Sequence, residues 1–264
     1  MYSGAVSVVL GLLLLGVLPA SSTGAEPSSA SGELPASVDL RPKFRQWDLT
    51  PRSQGKRPTC GTFATVNVLE YELAAYLGEG TRLSVEFLNW AKITISGATR
   101  DGGYFSHMQK GWEAYGACPE VMYPYRGKLD RDLRPPEEAI AAARRYRDLP
   151  VKFHWIRPHT KQPGLTPEQF HEVKRVLAEG HPVAAGSNHS RTLVGYRDDS
   201  GQPGGGVFFT NDSLKGGFFG EVTYEFVRTK LYDAFWVGVG NVESQGAPVV
   251  LQRRKERAGE APAQ

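Results

Sequence analysis

The sequence predicts an α+β protein whose first half is helical and whose second half is rich in strands. In the first half, apolar residues recur at the spacing of a buried helix in a run that starts at Cys60 and continues to Leu77. In the second half, short apolar runs such as 192–194 and 207–209 alternate with turn residues, which is typical of strands. A chain of 264 residues with 40% hydrophobic residues can bury one large core or two modest ones.

Each half divides into several predicted elements. Further helices are predicted to begin at Ser84 and to cover 105–115 and 137–146, and strands to cover 149–156, 182–185 and 235–237. The tetrapeptide Thr166-Pro167-Glu168-Gln169 has the composition of a capping box with Pro at the first helical position. It predicts a helix that continues to Glu179 and ends before Gly180.

The N-terminus has the character of a secretory signal peptide. Residues Ala5 to Leu18 are almost wholly apolar, too few to span a bilayer comfortably, and small residues follow them through Ala25. We expect cleavage after Ala25, with Ser22 and Ala20 as alternative sites. An uncleaved anchor is the other interpretation, because no Lys or Arg precedes the apolar run. The expected location is secreted or periplasmic, without stable membrane association after removal of the signal.

The remaining chain divides into three parts. A flexible lead-in rich in Ser, Gly, Pro and Glu is expected over 26–34, one folded domain over 35–247, and a disordered charged tail over 248–264. The net charge is only +3, and the basic residues form no continuous stripe, so we predict no nucleic-acid partner. No His, Cys and Asp cluster has metal-ligand spacing, so neither a metal nor another cofactor is predicted.

The segment around Cys60 indicates a nucleophile. A thiol at a helix N-terminus lies among unpaired backbone N–H groups and at the positive end of the helix dipole, and both favour the thiolate. Gln54, six residues earlier, could donate to an oxyanion at the same place. The alternatives are that Gln54 is an ordinary loop residue and that Cys60 pairs with Cys118, the other cysteine of the chain, in a disulfide.

A thiol nucleophile requires a histidine, and His189 is the best candidate of the six. It precedes a predicted strand and lies 129 residues after Cys60, close to the separation of about 130–150 residues of papain-type pairs. The alternative for His189 is a buried histidine whose hydrogen bonds are satisfied within the core.

Several motifs, taken in chain order, resemble the papain-like cysteine peptidase family. They cover residues 35 to 239 and comprise Pro35-Ala36-Ser37-Val38-Asp39-Leu40-Arg41, Gln54-Gly55 with Cys60, Leu83-Ser84, Asp101-Gly102-Gly103-Tyr104, Tyr123-Pro124-Tyr125, and His189 before Val194-Gly195-Tyr196. The resemblance implies a papain-like two-lobe fold: a helical left lobe whose central helix begins at the nucleophile, and a β-rich, barrel-like right lobe.

The resemblance also implies a function. We expect an exported cysteine peptidase that forms a thioester on Cys60, uses His189 as general base and acid, and binds peptide or protein substrates at Gly102 and Gly103. A plain turn is the alternative for the two glycines. Residues 26–34 leave no room for the family's inhibitory prosegment, and the sequence does not show what restrains activity; a separate protein inhibitor is one candidate partner.

The third catalytic residue is where the chain departs most from the family. The usual Asn-Ser-Trp-Gly motif is replaced by 211–215, and aligning Ser213 with the family serine puts Asp212 in the asparagine position. The rival alignment uses Asn211, and Asp212 would then only cap a turn. Gly61 replaces an aromatic residue, and Arg57 replaces a cysteine that is normally in a disulfide.

These departures leave two other functions open. One is a papain-fold binding or scaffold protein without turnover, and the other is a thiol acyltransferase or amidase that uses the same cysteine and histidine.

Overall fold

The computed structural model describes Met1 and residues 33–240. The expected signal peptide, the lead-in up to residue 32, the last residues of the expected domain and the charged tail lie outside the described residues. Seven helices and seven strands are described between residues 33 and 240, in the order β1 Ser37–Asp39, α1 Arg41–Gln46, α2 Cys60–Leu77, α3 Val85–Ser96, α4 Phe105–Tyr115, α5 Glu137–Arg147, β2 Val151–Arg157, α6 Pro167–Ala178, β3 Val183–Gly186, β4 Arg191–Asp198, β5 Gly206–Asp212, β6 Phe218–Thr223, α7 Tyr224–Lys230 and β7 Asp233–Val239.

Helix α2 is the centre of the molecule. Residues 61–74 of this helix are all buried, so it lacks the solvent-facing stripe of a surface helix. Its buried acids are paired: Glu70 accepts hydrogen bonds from Arg52 Nη2 and from the backbone N–H of Leu83, both at 2.7 Å. Both bonds end at Oε1 of this buried carboxylate, whose burial they make less costly, and they attach the 49–55 loop to the helix.

The strands form one antiparallel sheet. Their order is β2-β7-β3-β4-β5-β6, and β1 pairs with β4. Strands β4 and β5 are in register with Thr192 opposite Asn211. This register brings the loop before β4 beside the end of β5 at Asp212.

Two hydrophobic cores flank the strands β3 and β7, whose side chains alternate between them. Ala184 and Phe235 belong to the core formed with α2, α3, α4 and α5. Val183 and Trp236 belong to the other core, built from the rest of the sheet with α6 and α7. Because successive side chains of a strand point to opposite faces, β3 and β7 contribute to both cores and so connect the helical lobe to the β-rich lobe.

Most predicted elements are present. Helix α2 has the predicted bounds, and Thr166 and Gln169 form the predicted capping box. No helix within residues 33–240 has both the length and the apolar character needed to span a bilayer.

Four elements were not predicted: β1, α1, β6 and α7. Two of them carry sequence signals that could have been used. Helix α1 has Pro42 in its first turn, and α7 is capped by Thr223, whose side chain accepts from the backbone N–H of Phe226. Helices of six and seven residues show too little periodicity to be recognised by pattern alone.

The capping box of α6 gives a stability prediction. Replacement T166A removes the hydroxyl that accepts from the backbone N–H of Gln169 and should lower the free energy of unfolding by about 1 kcal/mol. Urea denaturation followed by circular dichroism measures the change. T166S keeps the acceptor and is the matched control. Equal stability of the two variants would show that the cap contributes nothing.

Candidate active site

The Cys60 thiol lies at the first residue of α2. The residue before it, Thr59, makes no side-chain cap to the helix, because its hydroxyl is paired with the Tyr125 hydroxyl at 2.6 Å. The positive end of the helix is therefore left to act on the sulfur. Cys60 is partly exposed and is a free cysteine.

The imidazole of His189 lies between Cys60 and Asp212. Its Nε2 is 2.8 Å from Asp212 Oδ1, and the ring is near enough to the Cys60 thiol for each group to shift the pKa of the other. Since Nε2 faces the carboxylate, Nδ1 is the nitrogen available to the sulfur. The Ser187 hydroxyl donates to the backbone carbonyl of His189 at 2.7 Å and steadies the loop that carries it.

The electrostatics favour an ion pair between sulfur and imidazole. Burial by itself raises the pKa of the Cys60 thiol, but hydrogen bonds from His189 and Ser190, with the charge of His189, bring that pKa below its ordinary value. Burial lowers the pKa of His189, whereas hydrogen bonds and charges of Asp212 and Cys60 raise it to about 9. The thiol is acidic and the imidazole basic, which is the combination that proton transfer from sulfur to nitrogen requires.

Asp212 is held in place by groups other than His189. Its Oδ1 also accepts from the backbone N–H of Leu214 at 2.9 Å, and its Oδ2 is 3.4 Å from Arg191 Nε. Burial raises the pKa of the Asp212 carboxyl, but the hydrogen bonds and the charges of His189 and Arg191 lower it by more. The carboxylate is therefore ionised when it faces the ring.

Arg191 and Ser190 were not singled out from the sequence. The signal for Arg191 was its place two residues after the histidine, at the start of β4. Because Thr192 is opposite Asn211 in an antiparallel pair, residue 191 must lie near residue 212.

Asn211, the rival candidate, is not part of this group. It precedes Asp212 on β5, and successive residues of a strand point to opposite faces. Its side chain is buried, and neither of its amide atoms has a hydrogen-bond partner among the described residues.

Gln54 is buried beside the site with its amide oriented by two hydrogen bonds. The Ser213 hydroxyl donates to Oε1 at 2.7 Å, and Nε2 donates to the backbone carbonyl of Arg57 at 2.7 Å. Gln54 Nε2 carries two N–H groups, and the bond to the Arg57 carbonyl uses one of them. Gly217 packs against Arg52, since an added Cβ would lie 2.7 Å from the Arg52 carbonyl carbon, and its φ is +83°. This close approach brings the 212–217 turn against the loop of Gln54.

Gly102 and Gly103 lie in a loop next to the start of α2. The Gly102 carbonyl accepts from the buried Lys92 Nζ at 2.8 Å, while Gly103 is exposed. An added Cβ on Gly61 would be 3.8 Å from the Gly103 carbonyl oxygen. The loop therefore borders the residue next to the nucleophile and presents backbone to solvent there.

Arg57 anchors this loop to the loop before Cys60. Its Nε and Nη2 each lie 2.9 Å from one oxygen of Asp101, and its Nη1 is 2.5 Å from Glu86 Oε2. The guanidinium also lies over the Tyr125 ring, 4.8 Å from its centroid. All three charged side chains are buried. The bidentate contact with Asp101 and the contact with Glu86 supply the negative charges that stabilise the buried guanidinium. We call Arg57, Asp101 and Glu86 the Arg57 cluster.

The disulfide interpretation of the two cysteines is wrong, because both are free. Cys118 is fully buried, and burial raises the pKa of its thiol to about 12. Within residues 33–240, no three His, Cys, Asp or Glu side chains are grouped as metal ligands.

Similarity to solved structures extends over most of the chain. Digestive procathepsin L 3 of Tenebrio molitor larval midgut has a TM-score of 0.58 at 20% identity, with 80% of this chain and 72% of that chain covered. Xylellain, a cysteine protease from Xylella fastidiosa, also has a TM-score of 0.58 at 20% identity, with 80% of this chain and 88% of that chain covered.

A third similar structure is the proform of the ragweed pollen allergen Amb a 11, a cysteine protease. Its TM-score is 0.56 at 21% identity, with 81% of this chain and 69% of that chain covered. No protein-family model and no curated protein matches the sequence. At this level of identity the likeness shows the fold, and the predicted α+β, papain-like two-lobed fold is confirmed.

The shifted pKa values predict how Cys60 alkylation depends on pH. The thiolate forms above the lowered pKa of Cys60, and the imidazolium partner is lost as the pH rises through about 9. Iodoacetamide should therefore label Cys60 at neutral pH in the native protein, with a second change in rate near pH 9. Cys118, whose pKa is about 12, should stay unlabelled. Mass spectrometry of peptides measures both, and equal labelling of the two cysteines at neutral pH would contradict the ion pair.

Proposed function

We propose that the protein is a divergent member of the papain-like cysteine peptidase family that hydrolyses peptide bonds through a thioester on Cys60. The observation that carries the proposal is the position of His189, which lies beside the Cys60 thiol on one side and hydrogen-bonds to Asp212 on the other. A nucleophile, a base and a group that orients the base are the parts needed for acyl transfer.

In the first half-reaction, the Cys60 thiolate attacks the carbonyl carbon of the scissile amide, and the carbon–sulfur bond forms. The carbon–nitrogen bond then breaks, and the imidazolium of His189 gives its proton to the departing amine. Asp212 keeps the ring oriented and stabilises its positive charge before that transfer. The product is a thioester between Cys60 and the acyl part of the substrate.

The oxyanion that forms during attack needs donors close to Cys60. We assign this role to the remaining N–H of the Gln54 amide and to the backbone N–H of Cys60 at the helix start. Ser213 fixes which end of the amide is the donor, because its hydroxyl occupies Gln54 Oε1. A donor of this kind contributes about 3 kcal/mol to the transition state.

In the second half-reaction, His189 takes a proton from water, and the hydroxide attacks the thioester carbon. The carbon–sulfur bond breaks, the acid is released and Cys60 is regenerated. An amine in place of water would give acyl transfer instead, so the acceptor decides between a peptidase and an acyltransferase.

The substrates that we propose are peptides or proteins in an extended conformation. The exposed Gly103 presents backbone groups beside the start of α2, and an extended peptide could pair with them as an added strand. We also propose export, which is supported by the apolar run from Ala5 to Leu18.

Replacement of the two cysteines tests the nucleophile. C60A should abolish hydrolysis of a panel of fluorogenic peptides, because no other free thiol in residues 33–240 contacts an imidazole. C118A is the matched control and should retain activity within a few-fold, since that thiol is buried in the helical core. Equal loss in both variants, or full activity of C60A, would overturn the assignment, and absence of hydrolysis by the wild type would favour a binding protein.

Replacement of Asp212 and of its neighbour tests the third residue. D212A should lower kcat/KM by about two orders of magnitude or more, because His189 loses both its orientation and its counter-charge. D212N should retain partial activity and lose it at a lower alkaline pH than the wild type, since an amide stabilises the imidazolium less. The control is N211A, for which we expect a much smaller effect. A larger loss in N211A than in D212A would reverse the assignment.

A further inference from the structure

Lys92 on α3 is a buried cation that the mechanism above does not use. None of the residue is exposed, and its Nζ donates to the backbone carbonyls of Gly102 at 2.8 Å and of Arg100 at 3.3 Å. Asp101, which lies between these two residues in the chain, is bound instead to Arg57. Lys92 therefore holds the main chain of residues 100–103, which we call the glycine loop, and not the acidic side chain of that loop.

The position of the Lys92 ammonium group is fixed by the packing of α3 against α4. An added Cβ on Gly111 of α4 would lie 2.9 Å from the backbone nitrogen of Lys92, so the two helices touch at this residue. From there the side chain extends to the loop, where a Cβ on Gly103 would lie 3.7 Å from Lys92 Cδ. The ammonium group thus starts from a base that cannot shift without separating two packed helices.

The main chain of the glycine loop depends on side chains for its support. Residues 101–103 make no backbone–backbone hydrogen bond within residues 33–240, and the φ angles of Gly102 and Gly103 are +82° and +122°. The Arg57 cluster holds a side chain of this loop, whereas Lys92 binds the carbonyl of Gly102, next to the exposed Gly103. Loss of the bond from Lys92 would therefore free the main chain at the exposed end of the loop.

The ammonium group keeps its proton over only part of the pH range. Burial lowers the pKa of Lys92 to about 8; the charge of Arg57 acts in the same direction, and the charge of Asp101 opposes both. Helix α4 contributes the ring of His107, whose Nδ1 would lie 3.7 Å from a Cβ on Gly103. Because a charged donor binds a carbonyl more strongly than a neutral amine does, the bond to the loop weakens as the pH rises through about 8.

We propose that Lys92 is a positioning residue for substrate binding, whose ammonium group holds the glycine loop in the conformation that pairs with an extended peptide. Lys92 does not touch the substrate, because the residue is fully buried. The proton on this amine regulates how tightly a peptide binds and does not act on the bond that is cut. The proposal rests on the proposed peptidase function and adds control of its substrate affinity.

The pH dependence of KM in the full-length wild-type protein is the first test. The substrate is a blocked, quenched fluorescent octapeptide without ionisable side chains. Its KM should be constant below about pH 7 and about fivefold higher at about pH 9, because the charged hydrogen bond becomes a neutral one. A blocked ester of a single amino acid, which is too short to pair with the loop, should show no such rise. A KM for the octapeptide that is flat over this range would overturn the proposal.

Replacement of Lys92 is the second test. K92M removes the ammonium group and nearly preserves the length of the side chain. It should raise KM for the octapeptide by about tenfold or more at neutral pH and abolish the rise near pH 8, with kcat within a few-fold of the wild type. The rate at which iodoacetamide labels Cys60 should not change, because that reagent does not use the loop.

The matched control is K110M, since Lys110 is an exposed lysine of α4. This variant should keep the wild-type KM and its pH dependence. An unchanged KM in K92M, or an equal rise in K110M, would contradict the role of Lys92. K92R covers the case in which K92M does not fold: arginine stays charged over the whole range, so its KM should not rise near pH 8, and a rise equal to that of the wild type would overturn the proposal.

The outcome also distinguishes this proposal from the peptidase function itself. Hydrolysis with a KM that depends neither on pH nor on Lys92 would contradict the positioning role and leave the peptidase function intact. If no peptide is hydrolysed, a peptidyl epoxide of the same sequence reports affinity through the concentration at which its rate of labelling of Cys60 is half-maximal, and this value replaces KM in each comparison. Neither hydrolysis nor labelling would contradict both proposals.

Discussion

The burial of α2 on all sides is the constraint on which the rest of the structure depends. Phe63 and Leu69 of this helix belong to the helical core, whereas Tyr71 and Ala74 belong to the core of the β-rich lobe. A helix packed from every direction can neither rotate nor slide without opening both cores. Cys60 is the first residue of this helix, so its position is as fixed as that of the cores.

The partners of Cys60 reach it from the sheet, and their positions follow from strand register. A shift of one residue between β4 and β5 would move Asp212 away from His189 and bring Asn211 near it. The register is held by buried side chains such as Leu193 and Phe208, which pack in the β-rich core. Asp212 is thus the neighbour of His189 because of hydrophobic packing several residues away.

The prediction from sequence succeeded where the pattern was long or chemically specific. Helix α2 was predicted with its bounds from a long apolar run, and the helix that begins after Thr166 was predicted from a reciprocal pair of caps. Cys60, His189 and Asp212 were named from order and spacing; the structure places them together, and their catalytic roles stay a prediction. Arg191 was missed because its role depends on the β4–β5 register, which a single sequence does not reveal.

Other misses have the same origin. The oxygen of Gln54 is occupied by Ser213, a residue 159 positions away, and no local pattern indicates such a pair. Contacts between distant segments decide these positions, whereas periodicity and caps report only on neighbours in the chain.

The Arg57 cluster has a consequence for the conditions under which the fold is held together. A disulfide at this place would form only in an oxidising compartment and would be cut by a reductant. A buried bidentate ion pair forms without an oxidant and is not broken by thiol reductants. The ion pair is lost in acid. Burial raises the pKa of the Asp101 carboxyl, but the hydrogen bonds and charge of Arg57 lower this pKa by more. The stabilisation is therefore complete above the ordinary pKa of an aspartate and is lost as the pH falls through the lowered pKa. The link between the nucleophile loop and the glycine loop is therefore independent of redox state and sensitive only to strong acidity.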